Sequence, residues 1–225
     1  RDAVKQMPVD KLPLDGYNSV EELCDELWPV MFDPEILPKR VNKADGVDLV
    51  KTSACNYYEG VSQQEVEDFY NEKKAAAGDK SPSWGLNSRF VKGDKGLEEK
   101  VWKENGEYGE AIRHIIYWLD KAKGVAENQQ QQRVIDLLIG YYRTGDLHLF
   151  DEYSIEWLKE QAGNVDFING FIEVYGDPLG IKASWEGIVE YKDLEATRRT
   201  RLISDNAQWF EDHSPVDSRF KKAEV

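Results

Sequence analysis

Asn164-Val165-Asp166-Phe167-Ile168-Asn169-Gly170-Phe171-Ile172-Glu173-Val174-Tyr175 (residues 164–175) is where the hydrophobic period of the chain changes. The stretch is β-branched and aromatic, with apolar positions recurring at a spacing of two, and this predicts a strand. What precedes it reads as helix. Ile112, Ile115, Ile116 and Leu119 form one apolar stripe, and Val134, Leu137, Leu138 and Tyr141 form a second. Phe150, Tyr153, Trp157 and Leu158 form a third. Gly124, Gly145 and Gly163 follow the three stripes, and a left-handed glycine is the expected stop for each helix. Beyond the strand come a turn at 177–180, a second extended run at 184–191, and a polar, Arg-rich helix at 193–212. Pro215 then breaks the pattern. The expected fold class is α+β, a mainly helical body with a few strands.

Towards the N-terminus, Ser19 with Glu22 and Ser62 with Glu65 have the spacing of capping boxes. Asp33-Pro34 ends the first of these helices, because proline disfavours helical geometry in its predecessor. Gly78 ends the second. Residues 87–92 and 97–103 read as a hairpin with a loop of about four residues, Gly93-Asp94-Lys95-Gly96. No internal repeat and no long Pro/Gly/Ser linker marks a boundary. The whole of 1–225 is therefore expected to be one segment: helices plus hairpin over 1–104, three helices over 105–163, and strand, turn and polar helix over 164–225.

The chain has 225 residues, with 43 acidic against 29 basic and a formal net charge of −14. This balance argues against a nucleic-acid partner, whose footprint is a basic stripe. No apolar run approaches the ~18–20 residues of a membrane-spanning helix, so no membrane partner is expected either. Cys24 and Cys55 read as thiols of a reducing compartment and imply a cytoplasmic protein. An exported chain whose signal has been removed is the other reading. Arg1 in place of Met, and the end at Lys221-Lys222-Ala223-Glu224-Val225 without a helix stop, suggest a sequence trimmed at both ends.

His114, His148 and His213 stand alone, with neither H-E-x-x-H nor any helical two-histidine spacing, so no metal site is expected in this chain. A glycine-rich phosphate loop and a G-x-S-x-G elbow are also missing. Arg198-Arg199-Thr200-Arg201 reads as a solvated, ion-paired helix face. The strand at 165–175 is the more informative place. Alternate residues of an extended chain share a face, which puts Phe171, Glu173 and Tyr175 on one side and Ile168, Ile172 and Val174 on the other. A carboxylate held on a rigid strand can bind a cationic amine through charge-assisted hydrogen bonds. A tyrosine two residues on can donate its hydroxyl to a carbonyl or a developing oxyanion. A solvent-facing Glu on an edge strand, beside a packed Tyr, is the plainer reading of the same pattern.

Asn169-Gly170-Phe171-Ile172-Glu173-Val174-Tyr175-Gly176-Asp177-Pro178 resembles the G-F-I-E-x-Y-x-D-P segment of the dipeptidyl peptidase III family. These are zinc-dependent exopeptidases that remove dipeptides from peptide N-termini. The resemblance runs over residues 56–225 and faintly before them. It takes in KAKGVAENQQQQRVIDLLIGYYRTGDL, Trp157, Ser184-Trp185-Glu186-Gly187, the Asn87-Ser88-Arg89 hairpin and the end NAQWFEDHSPVDSRFKKAEV, which is similar to the bacterial branch. The family's H-E-x-x-G-H motif is not in this sequence. The resemblance therefore implies the non-zinc, substrate-binding lobe of a two-lobed peptidase, with zinc in the full-length enzyme and none in this chain, which alone is expected to be inactive. It implies that Glu173 holds the peptide's α-ammonium, and that Tyr175 contacts the substrate backbone and assists the transition state as the catalytic candidate. Gly170 and Phe171 complete the implied substrate-binding set, and Asp177 and Pro178 shape the turn. The implied partners are short peptides with a free N-terminus and the missing zinc-binding lobe. A non-catalytic peptide-binding or interaction module derived from the same lobe is the alternative.

Overall fold

A computed structural model of the chain describes residues 2–12, 14, 16–37 and 39–225. The helices are α1 (Asp2–Lys5), α2 (Val20–Phe32), α3 (Gln63–Ala77), α4 (Gly109–Lys123), α5 (Gln129–Thr144), α6 (Leu147–Lys159), α7 (Leu194–Ser204) and α8 (Ala207–His213). The strands are β1 (Tyr58–Glu59), β2 (Ser88–Gly93), β3 (Gly96–Val101), β4 (Val165–Glu173) and β5 (Ser184–Tyr191). This is the α+β class expected from the sequence.

The cap residues set where the early helices start. Ser62 Oγ accepts from the Glu65 amide, and the Glu65 carboxylate accepts from the Ser62 amide at 2.8 Å, so the box that opens α3 is complete. At α2 only half of the expected box forms. Ser19 Oγ accepts from the Glu22 amide at 3.1 Å, but the Glu22 carboxylate takes the Asn18 amide, one residue earlier.

β1, β2 and β3 form one sheet in that order, β1 parallel to β2 and β2 antiparallel to β3. Gly93 pairs with Gly96, so the β2–β3 loop is two residues rather than the four expected. β4 and β5 form a separate antiparallel pair. α5 packs against both α4 and α6. Their facing stripes supply the main core, in which Ile112, Leu138, Tyr142 and Tyr153 are buried together with Trp102 and Phe171. A second cluster of Val61, Val66, Tyr70 and Phe90 sits between α3 and β2.

Two helix expectations change. Of the three glycines, Gly145 takes the left-handed conformation at φ 74°, whereas Gly124 stays in the helical region at φ −67°. α6 is capped by Glu160 and ends before Gly163. The polar helix expected at 193–212 divides at Asp205-Asn206 into α7 and α8. Asn206 Nδ2 donates to the Leu202 carbonyl at 2.7 Å, the local side-chain competition that makes Asn a turn former. Neither α7 nor α8 carries a buried residue. Among the described residues, no helix is long and apolar enough to cross a membrane.

Candidate functional site

β4 serves two environments. Phe167 and Phe171 pack into the main core, and Asn169 Oδ1 accepts from the Tyr142 hydroxyl at 2.6 Å. The alternate positions meet α6. Trp157 Nε1 donates to Asp166 at 2.8 Å, and a Cβ on Gly170 would lie 2.8 Å from the Phe150 ring. Such a separation is too short for a real side chain, so the bare Cα of Gly170 is what lets Phe150 lie against the strand. Phe171 is buried, with its ring 4.9 Å from that of Trp102. Gly170 is packed against Phe150, while Phe171, largely buried against Trp102, also walls an apolar hollow.

A bulge follows Phe171. Phe171 pairs with Trp185, but the next pair is Glu173 with Ser184, leaving Ile172 as an extra residue on β4. An inserted residue reverses the alternation beyond it. Glu173 therefore leaves the face of Phe171 and joins the face of Ser184 and Glu186, which lie two apart on β5. The strand also ends at Glu173. Residues 174–176 form a single 3₁₀ turn, and Tyr175 leaves the sheet with 85% of its surface exposed. The expected grouping of Phe171, Glu173 and Tyr175 on one strand face is corrected on both counts.

What the structure places beside Glu173 is a second carboxyl group. Glu186 shares a hydrogen bond with Glu173 and, with partial desolvation and their mutual repulsion, raises Glu173 above the usual carboxylate range. Two acidic side chains that close repel each other's charge, which favours the protonated form of Glu173. The sequence places Glu186 on a predicted strand, but only the pairing register shows that it meets Glu173.

The loop 174–183 joining the two strands is anchored along its length. Asp177 is buried and accepts from the amides of Leu179 (3.2 Å), Ile181 (2.7 Å) and Lys182 (2.7 Å). The Tyr58 hydroxyl also donates to it at 2.8 Å. Burial, reinforced by the Asp177 charge, pushes the Tyr58 hydroxyl well up. Lys43 Nζ donates to the Pro178 carbonyl at 2.6 Å, and the Ala183 amide donates to the Leu86 carbonyl at 3.1 Å. Gly85, at φ +97°, would place a Cβ 2.6 Å from Ile181, so both its conformation and its lack of a side chain seat the loop.

Lys182 is fully buried. Its ammonium donates to Ser88 Oγ at 2.8 Å and to the Tyr70 hydroxyl, and lies 3.9 Å from Glu99. Glu99 also accepts from Tyr70 (2.8 Å), Ser88 (2.7 Å) and Lys73 (2.7 Å). Burial lowers Lys182 to about 8, against the opposing pull of Glu99 and Asp177. Burial pushes Glu99 up, but Lys73, Lys182 and Ser88 outweigh it and hold the carboxyl below its usual value.

An apolar hollow of about 590 Å³ opens nearby, walled by Tyr57, Trp102, Tyr108, Phe171, Ser184 and Trp185. Among the described residues, no group of three or more His, Cys, Asp or Glu side chains could hold a metal ion. The residues present do not fit the zinc that the resemblance implies for a full-length enzyme, and no step through a metal is assigned to them.

Curated relatives include dipeptidyl peptidase 3 of Nematostella vectensis, 26% identical over 117 residues, a match covering 52% of this chain and 16% of that protein. Dipeptidyl peptidase 3 of Rattus norvegicus is 29% identical over 105 residues, covering 46% of this chain and 14% of that protein. The chain thus spans about one sixth of the length of the curated relatives it matches. Two solved structures share its fold. DPP III from Caldithrix abyssi gives a TM-score of 0.56 at 18% identity, covering 96% of this chain and 39% of that one. Dipeptidyl-peptidase III from Corallococcus sp. strain EGB gives 0.50 at 20% identity, covering 74% and 30%. The model of peptidase family M49 matches residues 58–225, a span from β1 to the last residue that includes the strand, the bulge and the anchored loop, and the chain belongs to that family.

Proposed function

We propose that this chain is part of a dipeptidyl peptidase and that its Glu173–Glu186 pair holds the free amino terminus of a peptide substrate. Membership of a peptidase family and the names of the relatives support peptides as the substrate class and dipeptide release as the activity of the longer enzyme. In that longer enzyme, zinc supplies the hydrolytic chemistry, from residues outside this chain.

The observation that carries the reading is the pair of carboxyl groups that the bulge brings to one face at the end of β4 and the start of β5. An α-ammonium brings one positive charge and three donors. Entering between the two groups, it turns a repulsion into charge-assisted hydrogen bonds. An N-acetylated terminus has no charge to offer. Tyr175, exposed two residues beyond Glu173, stands free to donate its hydroxyl to a substrate carbonyl. Gly170 and Phe171 support the strand from within.

The test compares a fluorescent peptide with a free amino terminus and its N-acetylated form. The free form is expected to bind about ten- to a hundredfold more tightly, the range for a hydrogen bond to a charged group. Glu173→Gln and Glu186→Gln should each remove most of that preference. Equal affinity of the two peptides for the unsubstituted chain would sink the reading.

A further inference from the structure

The register pairs Glu173 with Ser184 and puts it on the face of Glu186, but the ladder reaches no further. The bulge at Ile172 interrupts it just before the Glu173–Ser184 pair, which is the last pair of the sheet. Beyond that pair the position of both strand ends depends on the loop 174–183. Lys182 enters the protein two residues before Ser184, and its side chain crosses to the β1–β3 sheet. It ends between Tyr70 of α3 and Ser88 of β2, with its nitrogen 4.7 Å from the centre of the Tyr70 ring. Glu99 from β3, Lys73 from α3 and Asp177 from the loop complete the charged surroundings, and Tyr58 from β1 closes over Asp177. Two positive and two negative groups balance there. An apolar side chain of similar length could fill such a space without desolvating a charge, so what the ammonium adds is directional fixing.

We propose that Lys182 is a positioning residue of the carboxylate pair: its buried ammonium, seated between Ser88 and Tyr70, fixes the loop that holds Glu173 beside Glu186. What the pair binds rests on the peptide reading above. That Lys182 sets the pair does not, and the experiment separates the two.

The carboxyl carbons of Glu173 and Glu186 are titrated by NMR in the full 225-residue chain, unsubstituted and as Lys182→Met and Ser88→Ala, with circular dichroism to establish folding. The preference for free over acetylated peptide is measured on the same samples. In Lys182→Met, Glu173 should titrate back towards an ordinary glutamate, and the peptide preference should fall on the order of tenfold, within what a misplacement of about 1 Å produces. Ser88→Ala keeps the lysine and removes one acceptor. It should shift both readouts in the same direction by less, and it decides the matter if Lys182→Met does not fold. A role in stability alone leaves the Glu173 titration of the folded protein unmoved, so an unmoved titration in either folded variant overturns the inference. A shifted titration in a chain that never distinguished the two peptides upholds the positioning role and overturns only the peptide reading.

Discussion

Two groups of charges lie around one short loop, one within it and one on the strands it joins, and they are built on opposite plans. Lys182, Glu99 and Asp177 are enclosed between α3, β2, β3 and the loop with the half-buried Lys73 at their edge, two of each sign, and tied by hydroxyls from Tyr70, Ser88 and Tyr58. Glu173 and Glu186 share one sign at a strand end and bond to each other. The enclosed set is complete within the chain, so its chemistry ends in structure. Among the described residues no ion pair completes the half-buried Glu173–Glu186 pair, and a cation supplied from outside would do so. Comparing the two separates a charge that holds the fold from one available to a ligand, a distinction that residue type alone does not make.

The largest effect expected from this contrast is on the enclosed side. Lys182→Ala leaves Glu99 and Asp177 with one counterion fewer in a buried place, and should lower unfolding free energy by about 3–5 kcal/mol in urea titrations. A loss below about 1 kcal/mol would erase the difference between the two groups. The pH response of the same lysine comes next. Its folded value of about 8 lies below the ordinary 10.5. Between those values the unfolded chain holds a proton that the folded chain has released, so stability should rise with pH across the window, by at most a few kcal/mol. Denaturant midpoints at pH 7.5 and 9.5 check the sign, and Lys182→Met should flatten the slope.

A smaller effect is expected at the loop. Tyr58→Phe removes one donor from the buried Asp177, which should cost about 1–2 kcal/mol by the same titration. The smallest belongs to the Glu173–Glu186 pair. Glu173 is raised in the folded chain, so folding retains a proton there that unfolding releases, and stability falls as pH rises through the carboxylate range. Glu186→Gln should flatten that fall and raise the melting temperature slightly at pH 7. A lowered melting temperature would mean that the pair is a structural contact after all.

Local signals were legible in the sequence. The Ser62–Glu65 box, the three apolar stripes and the run at 184–191 each depend on neighbours within a few positions, and each is found where expected. Glu173 was legible as a candidate because its own stretch carries the family pattern. What depends on pairing was not. The bulge at Ile172 exists only relative to β5, so a strict alternation put Phe171 on the face of Glu173 and kept Tyr175 on the strand. The meeting of Glu186 with Glu173 needs the same register. The Lys182 cluster draws on α3, β2, β3 and the loop, segments up to 112 residues apart, and no local window contains them. The division of the last polar helix turned on Asn206, whose side chain competes for the helix carbonyls.

Ile172 acts as a phase inverter in the chain. Positions before it follow one parity of inside and outside, and positions after it follow the other. Deleting Ile172 would join Phe171 to Glu173 in an unbroken ladder and leave the carboxylate on the face of Ser184, so the bulge adds a residue to the strand end without changing the side to which Glu173 belongs.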